Sequence, residues 1–197
     1  MTVRTSLVFA TGNRNKLKEV QAILDNTILL RNLEDINCYE EIPETKNTIE
    51  LNALQKAQYV ADKFGVNCFA EDTGLEIQIL NGEPGIFSAR YAGLQKSADD
   101  NMELVLSKMK HATNRQARFK TVVALILDNK QFTFEGIING IISNEKRGHN
   151  GFGYDPIFIP DGYKKTFAEL DKKEKNSISH RAVAISKFLD FINCSVV

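Results

Sequence analysis

The sequence predicts an α/β fold, because strand-like and helix-like segments alternate along the chain. An apolar run from Leu7 to Ala10 leads through a glycine-containing turn into a segment whose apolar residues recur at helical spacing. Two long β-type runs, Ala117 to Leu127 and Phe132 to Ile142, are joined through Asp128-Asn129-Lys130-Gln131, in which Asp-Asn is typical of a hairpin turn. Near the C-terminus, apolar residues repeat at i, i+3, i+4 and i+7 from Ile185 and predict a last helix.

The length and composition indicate one domain over residues 1–197, with room for two lobes. With 43% hydrophobic and 25% charged residues, the chain can bury a sizeable core and is not of the disordered class. Lys and Arg together number 25, as do Asp and Glu, so the net charge is zero. Such a chain has no global field for nucleic acid or anionic membranes, and neither partner is expected.

The cysteines and the N-terminus indicate a cytoplasmic protein. Cys38, Cys68 and Cys194 are widely spaced and form no CxxC pair, which argues against a disulfide framework and a structural zinc site. The N-terminal apolar run is too short for a signal peptide, and no segment approaches the length of a membrane span.

The first predicted strand covers residues 3–10, the first helix runs from about Arg14 to Asp25, and a short strand covers Ile28 to Leu30. The turn before the helix contains Gly12, and Lys16 lies in the first helical turn. Backbone N–H groups and the positive end of the helix dipole at such a junction attract anions, so phosphate binding is one interpretation. The alternative is a purely structural junction, which is common, and the Walker A pattern is absent.

The next helix is predicted over residues 47–64 and opens with a capping box, Asn47 followed by Glu50 three residues later. Asn52 and Lys56 are four residues apart and share a face away from the centre of the apolar stripe. Such a polar pair is usually solvated, and the alternative is that both side chains point into a binding site.

Two adjacent carboxylates, Glu71 and Asp72, follow an apolar run from Val66 to Ala70. We expect a turn at Thr73-Gly74 and a second run from Leu75 to Leu80, so that the acids lie at a strand end. Mg²⁺ takes oxygen ligands and uses one or two protein carboxylates beside substrate phosphates, so a Mg²⁺ site is one interpretation. An ordinary solvated turn is the other.

The middle of the chain contains few chemical signals. Residues 81–87 are dense in turn-forming residues and predict a loop, which leads into a small-residue segment around Arg90. A helix is predicted from Ser97 to about Lys110. After the hairpin, residues 143–150 form a polar loop that contains His149, which we interpret as a surface histidine.

Two later segments are candidates for ligand binding. Gly151 and Gly153 flank Phe152, which leaves the backbone bare and lets a flat group lie against the ring. The alternative is a kinked strand with ordinary core aromatics. Residues 179–181, Ser-His-Arg, crowd the first turn of the last helix, where they would read a carbonyl oxygen or a phosphate, or simply be solvated.

Taken together, seven short motifs resemble one family, the inosine triphosphate pyrophosphatases, also called XTP/dITP diphosphatases. The motifs cover nearly the whole chain in the family's order. They are Thr11-Gly12-Asn13-x-x-Lys16, Glu44-Thr45, Asn52-Ala53-x-x-Lys56-Ala57, Glu71-Asp72-Thr73-Gly74-Leu75, Ser88-Ala89-Arg90-Tyr91, Gly151-Phe152-Gly153-Tyr154-Asp155-Pro156 and Ser179-His180-Arg181. Each motif alone is weak, whereas the ordered set is highly specific.

The resemblance implies an elongated α/β fold, with a long curved mixed β-sheet, flanking helices and two lobes around a central substrate cleft. It implies a Mg²⁺-dependent hydrolase that converts ITP, dITP and XTP to the monophosphate and pyrophosphate and so cleanses the nucleotide pool. It also implies a homodimer. The alternatives are a non-catalytic nucleotide-binding protein and a pyrophosphatase for other modified nucleotides.

The resemblance also implies roles for single residues. Asp72 resembles the base that activates the attacking water, and Glu44 and Asp72 resemble the metal ligands. Lys46 stands where relatives often have glycine, which leaves the pose of Glu44 open, and the role of Glu71 is open as well. The implied substrate-binding residues are Thr11, Gly12, Asn13, Lys16, Lys56, Thr73, Phe152, Gly153, Tyr154, Asp155, Lys175, Ser179, His180 and Arg181.

Within that set, the resemblance separates three tasks. Phe152 resembles the ring that stacks on the base. The triphosphate ligands would be Thr11, Asn13, Lys16 and Lys56. The wall that reads the purine edge would be Asp155, Lys175, Ser179, His180 and Arg181.

Overall fold

The structure is a computed structural model that describes residues 5–24 and 27–195. The chain forms two compact units. The first unit comprises Met1–Asp72, Thr121–Gly136 and Arg181–Val197, and the second comprises Thr73–Lys120 and Ile137–His180. Among the described residues, every helix is too short or too polar to span a lipid bilayer.

Six strands of the described chain form one mixed β-sheet. They are β1 (Thr5–Phe9), β2 (Ile28–Arg31), β3 (Cys68–Ile77), β4 (Gln116–Leu127), β5 (Lys130–Ile142) and β6 (Phe158–Pro160). The strand order is β2-β1-β3-β4-β5-β6, with β1 parallel to β2 and β3, and β5 antiparallel to β6. Asp128 and Asn129 join β4 to β5 with φ angles of 49° and 62°, so the predicted hairpin turn at Asp-Asn is confirmed. Lys130 and Gln131, predicted in the connection, belong to β5 instead.

Five helices accompany the sheet in the same described ranges, which confirms the predicted α/β class. They are α1 (Arg14–Ile23), α2 (Ile49–Phe64), α3 (Ala98–Lys108), α4 (Lys172–Ile178) and α5 (His180–Ser195). Asn13, Thr48 and Ser97 each accept hydrogen bonds from N–H groups of the following turn and are therefore the N-caps of α1, α2 and α3.

The largest difference from the sequence prediction concerns the segment around Glu71 and Asp72. The predicted turn at Thr73-Gly74 is wrong, because β3 is one continuous strand and the two acids lie inside it. β3 lies between β1 and β4, and nearly all of its residues are buried. Pairing on both edges together with burial keeps the backbone extended and overrides the local turn preference.

Three smaller differences concern helices. The predicted capping box at Asn47 is wrong, because Thr48 is the N-cap of α2. α1 ends at Ile23, and the predicted end at Asp25 lies outside the described residues, as do residues 3 and 4 of the predicted first strand. The charged segment before the last helix forms the short helix α4, which lacks the apolar spacing needed to predict it.

Each unit has its own aromatic core. In the first unit, the ring of Phe69 stacks on Phe9 with centroids 4.5 Å apart and contacts Phe188 at 5.0 Å. In the second unit, Phe119 and Phe158 pack edge to face at 4.7 Å. Close aromatic packing therefore fixes β3 against α5 in the first unit and β4 against β6 in the second.

A buried ion-pair network connects β3 to the start of α5 in the first unit. The guanidinium of Arg181 binds Glu71 through Nη2 to Oε1 at 2.7 Å and Nε to Oε2 at 2.8 Å. Arg181 Nη1 also donates to Glu19 of α1, and Lys16 Nζ lies 3.2 Å from Glu71 Oε1. The side chains of Arg181 and Glu71 are 1% and 0% exposed. The network therefore fixes α1, α5 and Lys16 against β3.

The charges in this network favour ionised Glu71. Burial alone would raise the pKa of its carboxyl, but the charges of Arg181 and Lys16 outweigh burial and lower that pKa. Burial also disfavours the charged guanidinium, and Glu71 reverses this effect and raises the pKa of Arg181. Both groups are therefore charged at neutral pH.

We expect Glu71→Gln to lower the free energy of unfolding at pH 7 by about 3–5 kcal/mol, because it removes a counter-charge from buried Arg181. Urea denaturation at several pH values would measure this. Since folding lowers the pKa of Glu71 below its unfolded value of about 4.3, the carboxylate stabilises the protein fully above that pH and progressively less below it. The difference in the free energy of unfolding between wild type and Glu71→Gln should therefore become smaller as the pH falls below that value.

Glu83→Gln is the matched control. Glu83 pairs with Lys108 at 2.8 Å in the second unit, but its side chain is 53% exposed, and water screens such a pair strongly. The control should change stability far less than Glu71→Gln. Equal losses from the two substitutions would contradict a special role for the buried network.

Candidate active site

The start of α1 carries the first predicted phosphate ligands. Thr11 Oγ1 accepts a hydrogen bond from the Asn13 N–H, and Asn13 Oδ1 accepts from the N–H groups of Asn15 and Lys16. Two of the N–H donors expected for an anion are therefore bound by Asn13. Gly12 and Asn13 are exposed, so the Gly12 backbone and the Asn13 side chain are accessible to a ligand.

Glu44, Lys56 and Asp72 form a second group, in which one ammonium contacts two carboxylates. Lys56 Nζ forms a short ion pair with Glu44 Oε1 and lies 3.2 Å from Asp72 Oδ1. Lys56 and its neighbour on α2, Asn52, are 6% and 2% exposed. They are therefore not the solvated pair that was one of the two interpretations of their spacing.

Hydrogen bonds to α2 fix the loop that carries Glu44. The Thr45 N–H donates to Gln55 Oε1, and Gln55 Nε2 donates to Thr45 Oγ1, each at 2.9 Å. The Lys46 N–H donates to Asn52 Oδ1 at 2.8 Å. Lys46 is not among the residues with positive φ, so the loop does not need the glycine that relatives often have there.

The alternation of side chains along β3 separates its two acids. Successive residues of a strand point to opposite faces. Glu71 therefore binds Arg181 and Lys16, whereas its neighbour Asp72 binds Lys56. One strand thus supplies carboxylates to two different sets of cations.

The two lysines differ in how burial and charge act on them. Burial lowers the pKa of Lys16, and the Glu71 carboxylate offsets only part of this effect. Burial would also lower the pKa of Lys56, but Asp72 and Glu44 outweigh it and raise that pKa. Lys56 is therefore an ammonium at neutral pH.

The carboxylate oxygens that contact Lys56 are suitable ligands for a Mg²⁺ ion. The carboxylates of Glu44 and Asp72 converge on one cation, the Lys56 ammonium. Across the described ranges, no cluster of three or more His, Cys, Asp or Glu side chains forms a metal cage. Two carboxylates are nevertheless sufficient for Mg²⁺, which completes its shell with water and phosphate oxygens.

In the second unit, the two aromatic residues of the Gly-rich segment differ in exposure. Phe152 is half-buried, whereas Tyr154 is 5% exposed. The Tyr154 hydroxyl donates to the Ser88 carbonyl at 2.9 Å, and burial raises the pKa of Tyr154. Tyr154 is therefore a core residue, and Phe152 is the ring of this segment that a planar ligand can reach.

Lys175, Ser179 and His180 lie in one packed cluster of the second unit, and each is less than 5% exposed. The His180 ring stacks on Phe119 at 4.6 Å with an interplanar angle of 15°. Phe167 lies 5.7 Å from Lys175 Nζ and 6.4 Å from the His180 ring, measured from its centroid. Three of the residues expected to read a purine edge are therefore close together.

The predicted site residues divide between the units. The first unit holds Thr11, Gly12, Asn13, Lys16, Glu44, Lys56, Asp72 and Arg181, and the second holds Thr73, Phe152, Gly153, Tyr154, Asp155, Lys175, Ser179 and His180. The guanidinium of Arg181 is bound by Glu71 and Glu19, and its contact with a purine stays a prediction.

Glu19 and Gln55 contact residues of the candidate site, although no sequence motif indicated them. Glu19 lies three residues after Lys16 on α1, and this helical spacing places the two residues on one face. Gln55 lies three residues after Asn52 on α2, and both residues bind the loop of Glu44. The spacing alone was a signal for both, but it did not identify their partners.

Comparisons of the sequence and of the structure with known proteins all match the same family. The Ham1 family model matches residues 7–191. The chain is 53% identical over 189 residues to the dITP/XTP pyrophosphatase of Flavobacterium johnsoniae, covering 96% of this chain and 98% of that protein. It is 44% identical over 191 residues to the dITP/XTP pyrophosphatase of Bacillus subtilis, covering 95% and 96%.

Solved structures agree with the sequence matches. The Ham1 protein of Staphylococcus aureus superposes with a TM-score of 0.89 at 37% identity, covering 97% of this chain and 100% of that chain. The nucleoside-triphosphatase, dITP/XTP pyrophosphatase, of Mycobacterium abscessus gives a TM-score of 0.78 at 37% identity, covering 94% and 99%. These matches confirm the family resemblance, and the chain belongs to the Ham1 family.

Proposed function

We propose that this protein is a pyrophosphohydrolase that converts dITP, XTP and ITP to the monophosphate and pyrophosphate. The supporting observation is a buried Lys56 that contacts two carboxylates suited to Mg²⁺, in a chain similar to dITP/XTP pyrophosphatases over nearly its whole length. Hydrolysis of a phosphoanhydride requires neutralised phosphate charge and an aligned water more than it requires a protein nucleophile.

Triphosphate binding is proposed for residues around β3 and the start of α1. Lys16 and Lys56 supply two ammonium groups. Asn13 and Thr11 supply side-chain donors at the positive end of the α1 dipole. Together these groups of the first unit would stabilise the charge that develops on the leaving pyrophosphate. Thr73 belongs to the second unit, and its contact with the substrate stays a prediction.

Asp72 is proposed as the base that takes a proton from the attacking water. Its carboxylate is partly accessible, with 12% of the side chain exposed, and contact with Lys56 fixes its position. Mg²⁺, when bound by Glu44 and Asp72, supplies positive charge to the phosphate oxygens. The water oxygen forms a bond to phosphorus, the anhydride bond between the α and β phosphates breaks, and pyrophosphate leaves.

Base binding is proposed for the cluster around Phe152 in the second unit. The Phe152 ring would stack on the purine, and Ser179 at the end of α4 and His180 at the start of α5 would read its edge. A buried donor that pairs with a 6-oxo group is left unpaired against the 6-amino group of adenine, which disfavours ATP. Crowding at the 2-amino group is our hypothesis for the rejection of guanine.

Several finer features stay predictions that the family resemblance implies. They are the elongated shape with two lobes around a substrate cleft, the identity of the divalent ion as Mg²⁺, and a cytoplasmic location.

The first test is pyrophosphate release from ITP, dITP, XTP, GTP and ATP with Mg²⁺. We expect fast release from the first three, slow release from GTP and ATP, and none after removal of divalent ions with EDTA. Asp72→Asn should lower kcat for ITP by about 10²–10⁴-fold, because the variant lacks the general base.

Asp190→Asn is the control, since it removes an exposed carboxylate of α5 in the same unit and should keep the wild-type rate. Binding of ITP without turnover by the wild type would instead favour a non-catalytic nucleotide-binding protein. Turnover restricted to other modified nucleotides would favour the second alternative. Full activity of Asp72→Asn would remove Asp72 from the mechanism.

We also propose a homodimer, as the family resemblance implies. Size-exclusion chromatography with light scattering should give about twice the mass of one chain, because the proposed assembly contains two copies related by two-fold symmetry. A mass equal to that of one chain across the concentration range would contradict the proposal.

A further inference from the structure

One carboxylate oxygen fixes the loop of residues 151–155 in the second unit. Asp155 Oδ2 accepts a hydrogen bond from the Phe152 N–H at 2.8 Å and lies 2.5 Å from Lys175 Nζ. Asp155 and Lys175 are 2% and 4% exposed. A buried ammonium requires a counter-charge and a buried carboxylate requires donors, so each residue fixes the other.

The main chain before Phe152 is shaped around the same oxygen. Gly151 has a φ of +75°, and a Cβ at this position would lie 2.0 Å from Asp155 Oδ2. Any side chain at this position would displace the Asp155 carboxylate. The positive φ would also strain the backbone of any residue other than glycine. The glycine therefore allows the carboxylate to pack against the backbone directly before the ring.

The ammonium that Asp155 binds also lies over the Phe152 ring. Lys175 Nζ is 5.2 Å from the ring centroid, within the range of a cation–π interaction. Asp155 thus contacts the backbone N–H of Phe152 and also fixes the cation over its ring. Both contacts restrict where the ring can lie.

We propose that Asp155 is a positioning residue, whose carboxylate orients the Phe152 ring for stacking and does not itself read the purine edge. The inference rests on the proposed function and deepens it, because Phe152 is the ring proposed to stack on the base. The buried carboxylate uses Oδ2 for Phe152 and Lys175, and both contacts lie within the protein.

The two roles predict different kinetics for Asp155→Asn. Loss of a positioning residue affects every base that stacks on the ring, so kcat/KM for ITP, XTP and ATP should fall by a similar factor of about tenfold or more. Loss of a residue that pairs with the purine edge would instead change the ratio of ITP to ATP turnover by orders of magnitude. A large change in this ratio would overturn the inference.

A double-mutant cycle with Phe152→Ala tests whether Asp155 acts through the ring. In the Phe152→Ala background, Asp155→Asn should change kcat/KM for ITP by less than about twofold, because its effect requires the ring. Losses that add fully in the double variant would show that Asp155 acts independently of Phe152 and would contradict the proposal.

Binding of two ligands distinguishes a positioning role of Asp155 from general structural damage. It also tests this inference independently of the proposed catalytic activity. Inorganic tripolyphosphate has no base, so its inhibition constant should stay unchanged in Asp155→Asn, and a parallel rise would indicate a merely structural defect. IMP carries the base, and calorimetry should show similar weakening of its binding by Asp155→Asn and Phe152→Ala. IMP binding does not require turnover. If the wild type were inactive, the proposed function would be refuted, but the IMP measurements would still test the role of Asp155.

Gly151→Ala perturbs the same contact from the main chain and should weaken IMP binding as Asp155→Asn does. Gly162→Ala is its matched control, because Gly162 has a φ of +82° and open space where a Cβ would lie. Asp161→Asn removes an exposed carboxylate of the same unit as a second control. Equal weakening by Gly151→Ala and Gly162→Ala would mean that backbone strain is the cause, and the inference would be wrong.

Discussion

The first unit depends on one buried carboxylate, that of Glu71, in the middle of β3. An ionised group without contact to water needs charged partners, and Glu71 takes them from α5 through Arg181 and from α1 through Lys16. Because side chains alternate along a strand, the next residue, Asp72, is directed to Lys56 of α2. The continuous extended backbone of β3 thereby decides which helices supply the cations that each carboxylate binds.

The same arrangement recurs in the second unit, where Asp155 and Lys175 form a buried pair beside Phe152. Lys56 and Lys175 are buried, and an unpaired buried cation would destabilise the fold. The carboxylates of Asp72 and Glu44 keep Lys56 charged and in place, as its raised pKa shows. At Lys56, stability and preorganisation of the candidate site thus follow from the same contacts.

Local patterns predicted local structure well. The hairpin at Asp128-Asn129 and the helix α2 up to Phe64 were predicted, because turn residues and apolar periodicity act over a few neighbouring residues. The predicted turn at Thr73-Gly74 is wrong because long-range strand pairing decides the structure there. Its local preference is weak compared with pairing to β1 and β4, which are formed by segments distant in sequence.

The sequence by itself determined the α/β class, the family and the identity of the candidate site residues, because seven ordered motifs are specific even though each is weak. Only the tertiary structure decided what those residues touch. It placed Tyr154 in the core and left Phe152 accessible, and it bound Arg181 to Glu71 and Asp155 to Lys175. The physical reason is that burial and charge pairing depend on distances between segments far apart in the chain, which no local pattern encodes.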